Sequence, residues 1–525
     1  IISLDSLYPI TNIEGNLQIG MSQSFSQPGG NDSLLNLSGL QDLTSIGGDL
    51  EIIGNVSLSS LNGLERIKSI GGSLRIGSYL LDMYGEYHVL TGNPSLTNLS
   101  GLDSLTSVGG DLEIIGNDSL TSLNGLGSLK SIGGNLRIGS SYFDGTIVFL
   151  GNSSLTSLSG LDNLTSIGES LGISSYDALT SLSGLDSLTS IGGNLSIRDC
   201  YALTSLSGLE NLTSIGENLS IIDNDTLTSL SGLENLTSIE GSLRIERNDA
   251  LTSLNRLENL TSLGGSLFII NNHSLTSLNG LENLTSIEGS LYINNNYALT
   301  SLNGLERIKS IAGRLSIGSY GWNDGPFLVS DGNPFLTSFS GLDSLTSVGE
   351  DLWIWNNDSL TSLNGLENLT SIGENLWIWS NDVLTSLSRL ENLTSIGENL
   401  WIWSNYALTS LNGLERINSI GGSLCIGSSY LVGGTTPIGN SSLTNLSGLE
   451  NLASIGRGLY IDDNGALPSL SGLDSLTSIG EDLWIDNNDA LTSLSGLGNL
   501  TSIGEDLRIH DNNELTSLSG LESLD

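Results

Sequence analysis

Cysteine, basic residues and long apolar runs are what this sequence has least of. Only two cysteines occur in 525 residues, Cys200 and Cys425. That rules out a disulfide scaffold, which needs dense cysteine, although it leaves secretion open. Sixteen lysines and arginines face 57 aspartates and glutamates, for a net charge of −41. Nucleic acid and anionic membrane surfaces are therefore not expected as partners. Such charge suits a self-repelling extracellular surface or a cationic partner. No run of about 20 apolar residues exists, so direct membrane insertion by a helix is not expected. The three histidines, His88, His273 and His510, have no companions at metal-ligand spacing. No catalytic constellation is present and no enzymatic role is expected. No signal peptide is visible, yet the chain starts at Ile1 and stops at Asp525 partway through a repeat. A processed product or a piece of something longer is the expectation.

What the chain has in abundance is repetition. Residues 195–218, LSIRDCYALTSLSGLENLTSIGEN, return with variations every 24 residues through 314. A period of 20–50 residues marks a solenoid. Leu195 and Ile197 alternate, as in a short strand that sends every second side chain inward. From Leu203 to Ile215 the aliphatics are three apart, among serine, threonine, asparagine and glycine, which are poor helix formers. One such coil cannot bury its apolar edge; stacked coils can, with strands pairing in parallel. Anchor leucines at 17, 50, 74, 112, 136, 171, 195, 219, 243, 267, 291, 315, 352, 376, 400, 424, 459, 483 and 507 define about 19 coils. The expected fold is mainly β: one continuous solenoid over 1–525, with a parallel sheet and a length of about 90 Å from strand spacing.

Asparagine recurs five residues after the anchor, at 55, 117, 224, 248, 272, 296, 357, 381, 405, 464, 488 and 512. A stacked asparagine can satisfy turn backbone groups that would otherwise be buried unpaired. Leucine-rich repeats use asparagine or cysteine in this slot, and Cys200 occupies it in its coil.

The run IEGNLQI at 13–19, with the later L-x-I-x-x-N-x-x-L-T-S-L-x-G-L-x-N-L-T-S-I-x-G, resembles the receptor L domain family over essentially the whole chain. That family includes the ligand-binding L domains of the insulin and epidermal growth factor receptors. The resemblance implies a right-handed, β-helix-like leucine-rich solenoid.

Five coils are lengthened after the strand, at about 20–30, 77–92, 139–151, 318–332 and 427–439. Their inserts carry Tyr79, Tyr84, Tyr142, Phe143, Tyr320, Trp322 and Tyr430. Insertions entering at one point of the coil project from one edge, which is often a binding edge; drift in tolerated loops is the plainer reading. Basic residues gather beside them, among them Arg66, Lys68, Arg75, Arg137, Arg307 and Arg314. The expectation is that these cations pair with loop groups.

Outward positions of the strands, one and three after the anchor, carry an aromatic stripe. Three successive coils read L-W-I-W, placing Trp353, Trp355, Trp377, Trp379, Trp401 and Trp403 in two columns, with Tyr460 and Trp484 further along. Exposed aromatic patches mark binding surfaces, and tryptophan and tyrosine dominate interface hot spots. Self-association leads; a carbohydrate or protein ligand is the alternative, and cross-strand pairing for its own sake is the plainest account. Cys425 lies in this stripe, as a small apolar residue or an intermolecular disulfide.

Asn-x-Ser/Thr occurs 21 times, and eight copies form an N-L-T column at Asn163, Asn211, Asn235, Asn259, Asn283, Asn368, Asn392 and Asn499. These lie between inward leucines and should face solvent, as N-glycosylation requires. Sequons on the asparagine ladder, such as Asn357, should be buried. A glutamate column at 210, 234, 258, 282, 367 and 391 reads as a solvated face. Calcium bridging between rungs is the only cofactor such oxygens suggest, without a supporting D-x-D-x-D-G loop. Together these features describe a secreted, glycosylated structural or adhesive surface protein, a filament or coat subunit, with a ligand-recognition ectodomain as alternative.

Overall fold

The computed structural model describes residues 4–20, 30–77, 79–81, 87–90, 92–139, 151–174, 178–318, 332–427 and 439–524. The chain divides into two compact units, Ile1–Thr261 and Ser262–Asp525. Both are built from the coil that the repeat dictates, a parallel-strand solenoid with almost no helix.

In the first unit the anchor strands run from Leu17–Gly20 to Leu243–Glu246 and pair in parallel, each with the next coil. In the second unit they run from Leu267–Ile270 to Leu507–His510 in the same manner. Register is set leucine on leucine and isoleucine on isoleucine. It holds across lengthened coils, as Leu74↔Leu112 and Leu315↔Leu352 show. A slip by one residue would turn every inward aliphatic to solvent. A second parallel ladder forms at the T-S-I segment, from two-residue strands such as Ser214–Ile215 and Ser371–Ile372.

The three-spaced aliphatics fill the interior. Leu195, Ile197, Leu203, Leu206, Leu209, Leu212 and Ile215 are all fully buried, each side chain contributing about 1.5–3 kcal/mol of transfer free energy.

Between them run polar columns that stitch coil to coil. The asparagine ladder is buried and saturated. Asn381 donates from Nδ2 to the carbonyls of Ile354 and Trp379, both at 3.0 Å, and to Asn405 Oδ1 at 3.2 Å. Its Oδ1 accepts from the backbone N–H of Asn357 at 3.3 Å. Cys200 fills the slot in its coil and is fully buried. Asn93, Asn152, Asn333 and Asn440 complete the ladder in lengthened coils, each fully or almost fully buried. A second column stands just before each anchor strand, where Asp351 Oδ1 accepts from Asn375 N and Asn375 Oδ1 from Asn399 N, both at 3.1 Å.

The chain turns twice more in each coil, at S-G-L and E-N-L. Gly208 at the first turn has φ +115°, and a Cβ there would lie 2.3 Å from the Leu182 carbonyl oxygen. Two coils place arginine in this slot: Arg256 at φ 94° and Arg389 at φ 95°.

Candidate functional site: the tryptophan face

The strands Leu352–Trp355, Leu376–Trp379 and Leu400–Trp403 pair in register, so Trp353, Trp377 and Trp401 form one column and Trp355, Trp379 and Trp403 the other. The ladder fixes the strand ends: Asn357, Asn381 and Asn405 each donate to the carbonyl of the tryptophan two residues earlier. The next residues, Asn356, Ser380 and Ser404, turn the chain through positive φ of 49–54°.

The rings pack on one another. Trp377 and Trp401 stack with centroids 4.7 Å apart and planes 6° from parallel. Trp355, Trp379 and Trp403 follow at 5.3 and 5.4 Å in tilted contacts. Across the columns the contacts are edge-on: Trp353 with Trp355 at 5.9 Å, and Trp401 with Trp403 at 5.4 Å. Aromatic quadrupoles favour these offset and T-shaped arrangements, each worth about 0.5–1.5 kcal/mol beyond area burial.

The stripe is therefore less exposed than strand alternation implies. Trp355 and Trp401 are 8% exposed and Trp403 2%, while Trp353, Trp377 and Trp379 are half-buried. Alternation tells which side a residue takes; rings this large then cover each other. The indole N–H groups of Trp355 and Trp401 are buried and meet no hydrogen-bond acceptor among the described residues.

Cys425 continues the first column at 1% exposure, packed with Trp401 and Trp403. Burial, then Asp462, pushes its thiol up to about 12. It is an inert apolar residue here, not an accessible disulfide former. Tyr460 and Trp484 extend the face at 5.3 Å, edge to face. Burial and then Asp482, whose carboxylate lies 3.5 Å from the hydroxyl, push the Tyr460 phenol up to about 12.

Two arginines lie over the column. Arg314 sits 3.9 Å from the centroid of Trp353 while pairing with Asp351 at 2.8 Å. Arg508 lies 5.3 Å from Trp484 and pairs with Asp486 at 3.0 Å.

In the first unit four successive coils carry charge at the corresponding position: Glu51, Arg75, Glu113 and Arg137. Arg75 bonds Glu51 at 2.9 Å and Glu113 at 3.2 Å, and Arg137 bonds Glu113 at 2.8 Å. These cations pair with carboxylates at the same position of neighbouring strands, where the register sets them side by side; the loop groups with which they are expected to pair lie outside the described residues. Arg66 likewise pairs with Asp42 at 2.9 Å, and Arg307 donates to Asn283 Oδ1.

The loop-edge residues Tyr84, Tyr142, Phe143, Tyr320, Trp322 and Tyr430 lie outside the described residues. Tyr79 belongs to a short strand, Tyr79–Leu81, whose backbone pairs antiparallel with Tyr87–Leu90.

The N-L-T column stands at the surface, with Asn163, Asn211, Asn235, Asn259, Asn368 and Asn499 exposed and Asn283 and Asn392 half-buried. It also has a structural role that the sequon pattern hides. Asn211, Asn235 and Asn368 donate from Nδ2 to a carbonyl of the preceding coil at 2.6–2.8 Å. The ladder sequons Asn55, Asn117, Asn224, Asn272 and Asn357 are fully buried. The glutamate column closes turns: Glu210, Glu234, Glu282 and Glu367 each accept the N–H of the glycine two residues earlier. Among the described residues no group of three or more His, Cys, Asp or Glu is placed to hold a metal ion, and no helix is long and apolar enough to cross a membrane.

A signal in the sequence went unread. Each tryptophan one after the anchor has a glutamate three residues before it: Glu350, Glu374, Glu398 and Glu481 precede Trp353, Trp377, Trp401 and Trp484.

Comparison with known proteins agrees with this architecture. Residues 137–244, 175–298 and 333–432 match the model of the BspA type leucine rich repeat region, in six copies. Comparison with curated protein sequences gives no match. A leucine-rich repeat protein from Bacteroides ovatus ATCC 8483 is 12% identical with TM-score 0.28, covering 74% of this chain and 95% of that one. A leucine rich cell surface protein from Faecalibacterium prausnitzii A2-165 is 11% identical with TM-score 0.18, covering 74% and 90%. A chain of the TLR13–ssRNA13 complex is 16% identical with TM-score 0.23, covering 94% and 81%. Likeness at this level carries no argument about partners.

Proposed function

We propose that this leucine-rich repeat chain is an adhesive component of a cell surface, and that it contacts a polypeptide partner through the tryptophan face. The observation that carries this reading is the two-column array of Trp353, Trp355, Trp377, Trp379, Trp401 and Trp403 on three consecutive coils. The ring faces in the stack are spent on each other, so the array offers edges and grooves. Those suit side chains of a protein better than the flat platform that a sugar ring needs. The exposed N-L-T column supports a glycosylated, extracellular setting, in which Asn211 and its equivalents would carry sugar. Assembly of copies into a filament or coat is the alternative form of the same reading.

The test uses beads carrying the full chain, or the Trp377→Ala, Trp379→Ala double variant shown by circular dichroism to be folded. Wild-type beads should adhere to protein-coated surfaces or to one another, and the variant should lose that adhesion. Adhesion to polysaccharide coats alone, indifferent to the two substitutions, would refute the reading.

A further inference from the structure

The carboxylates beside the tryptophan face set the chemistry of its partner. Glu350, Glu374 and Glu398 are exposed and stand in line on successive coils, joined by backbone bonds from Glu374 N to Glu350 O at 3.1 Å and Glu398 N to Glu374 O at 2.8 Å. Their spacing is therefore that of parallel strands, about 4.8 Å. None of the three has an ion-pair partner among the described residues. Asp351 first, then burial, Glu350 and Glu398, hold the Glu374 carboxyl above its usual range, against a smaller lowering by Arg314. This is an exposed row of negative charge without an ion pair among the described residues.

The row and the ring column share one edge. Arg314 stands just before its own anchor strand, yet it reaches both Asp351 and the Trp353 ring of the next coil. In a later coil the Tyr460 hydroxyl lies against Asp482, the residue just before the next anchor. Rings one after the anchor thus lean toward the turn that carries the glutamates. Arg314 and Arg508 also show how the surface is used: a guanidinium takes an indole face and a carboxylate at once. Between these ends the ring faces are stacked on one another, so a further cation takes the carboxylates by charge while its aliphatic stem packs along the ring rims.

We propose that the face of residues 350–403 docks a basic polypeptide segment whose arginines or lysines lie along the Glu350–Glu374–Glu398 row, with their aliphatic stems packed on the half-buried rims of Trp353 and Trp377. This rests on the adhesive reading above and names the partner's chemistry. A second copy of this chain is a poor occupant, because it would bring the same carboxylates and a net charge of −41.

The experiment titrates the full chain with a nine-residue arginine peptide and its glutamine counterpart, followed by calorimetry and tryptophan fluorescence. The arginine peptide should bind and quench, and the glutamine peptide should do neither. The triple variant Glu350→Gln, Glu374→Gln, Glu398→Gln should weaken binding at least about tenfold, or ~1.4 kcal/mol. A charge-matched control, Asp32→Asn, Glu240→Gln, Glu514→Gln, alters exposed carboxylates elsewhere and should change binding less than about threefold. Equal losses in both variants would mean attraction by the whole anionic chain and would overturn the proposal, as would no binding. If Trp377→Ala, Trp379→Ala abolishes bead adhesion while the arginine peptide never binds, the adhesive reading stands and this one falls. If those substitutions change neither, both fall.

Discussion

Replacing Asn381 by alanine tests whether the buried ladder or the leucine core alone holds neighbouring coils in register. The side chain donates to two carbonyls, those of Ile354 and Trp379, and accepts from the backbone N–H of Asn357. Asn381 is fully buried, so alanine leaves the Asn357 N–H without its partner and without water and takes one donor from each carbonyl, the Trp379 carbonyl keeping the Asn356 N–H at 3.1 Å. A buried orphan costs roughly 1–3 kcal/mol, and with the two weakened carbonyls the expected loss is about 3 kcal/mol. Asn368→Ala is the control. Its Nδ2 makes a shorter bond, 2.7 Å to the Asp343 carbonyl, but at the exposed surface. Water replaces that bond, and the loss should stay under about 1 kcal/mol. Repeat arrays need not unfold in one step, so the assay is amide hydrogen exchange read residue by residue. The Asn357 N–H and strand amides on either side should lose protection by a factor of at least about 100 in Asn381→Ala. Equal, small effects from both substitutions would refute the view that the ladder carries register energy.

Other outcomes follow from the same geometry. Arg256→Gly and Arg389→Gly should each stabilise the fold by about 1 kcal/mol in urea melts, since φ of 94–95° strains any residue but glycine. The exposed pairs lost with them, to Glu234 at 3.8 Å and Glu367 at 3.7 Å, are worth little. The Asp225 carboxyl is held above its usual range by burial, then by Asp249 and Asp223. A raised carboxyl favours the protonated fold, so Asp225→Asn should stabilise at pH 7 and lose that advantage in acid, as thermal melts at the two pH values would show. Tyr460 and Cys425 are both raised to about 12. Their contribution is complete below the unfolded values, near 9 for the thiol and 10 for the phenol. It should fade as pH climbs through about 12. Spectrophotometric titration of Tyr460 against the Asp482→Asn variant, whose phenol should ionise earlier, checks the cause.

Much of the fold could be read before any coordinates. The inward positions of the coil anchored at Leu195 are the buried ones, and Cys200 sits in the ladder slot. Hydrophobic periodicity is strong there because every coil repeats the same burial. Counting five residues from the anchor missed Asn93, Asn152, Asn333 and Asn440, because inserts separate these residues from their strands. The column that precedes each anchor was missed for another reason: asparagine, aspartate and serine share the position, and no single letter repeats. For the site, the two tryptophan columns were legible from L-W-I-W, whereas their depth was not. Alternation of strand faces is a rule about direction, and the burial of Trp403 comes from the neighbouring rings. The glutamate companion of each tryptophan was readable as G-E-[ND]-L-W but lay hidden among 57 acidic residues.

The ladder also separates two kinds of information in a coil. In the lengthened coils the strand ends in register, and an asparagine then resumes the same buried bonds, as Asn93 does with Asn117 and Asn440 with Asn464. The register of the neighbouring coils is set at those two posts. Doubling such an insert adds only about 0.6 kcal/mol of loop entropy. The slots after Gly77, Gly139, Gly318 and Gly427 therefore behave as sockets: foreign peptides could be seated there, at defined heights along each unit, without the frame registering the change.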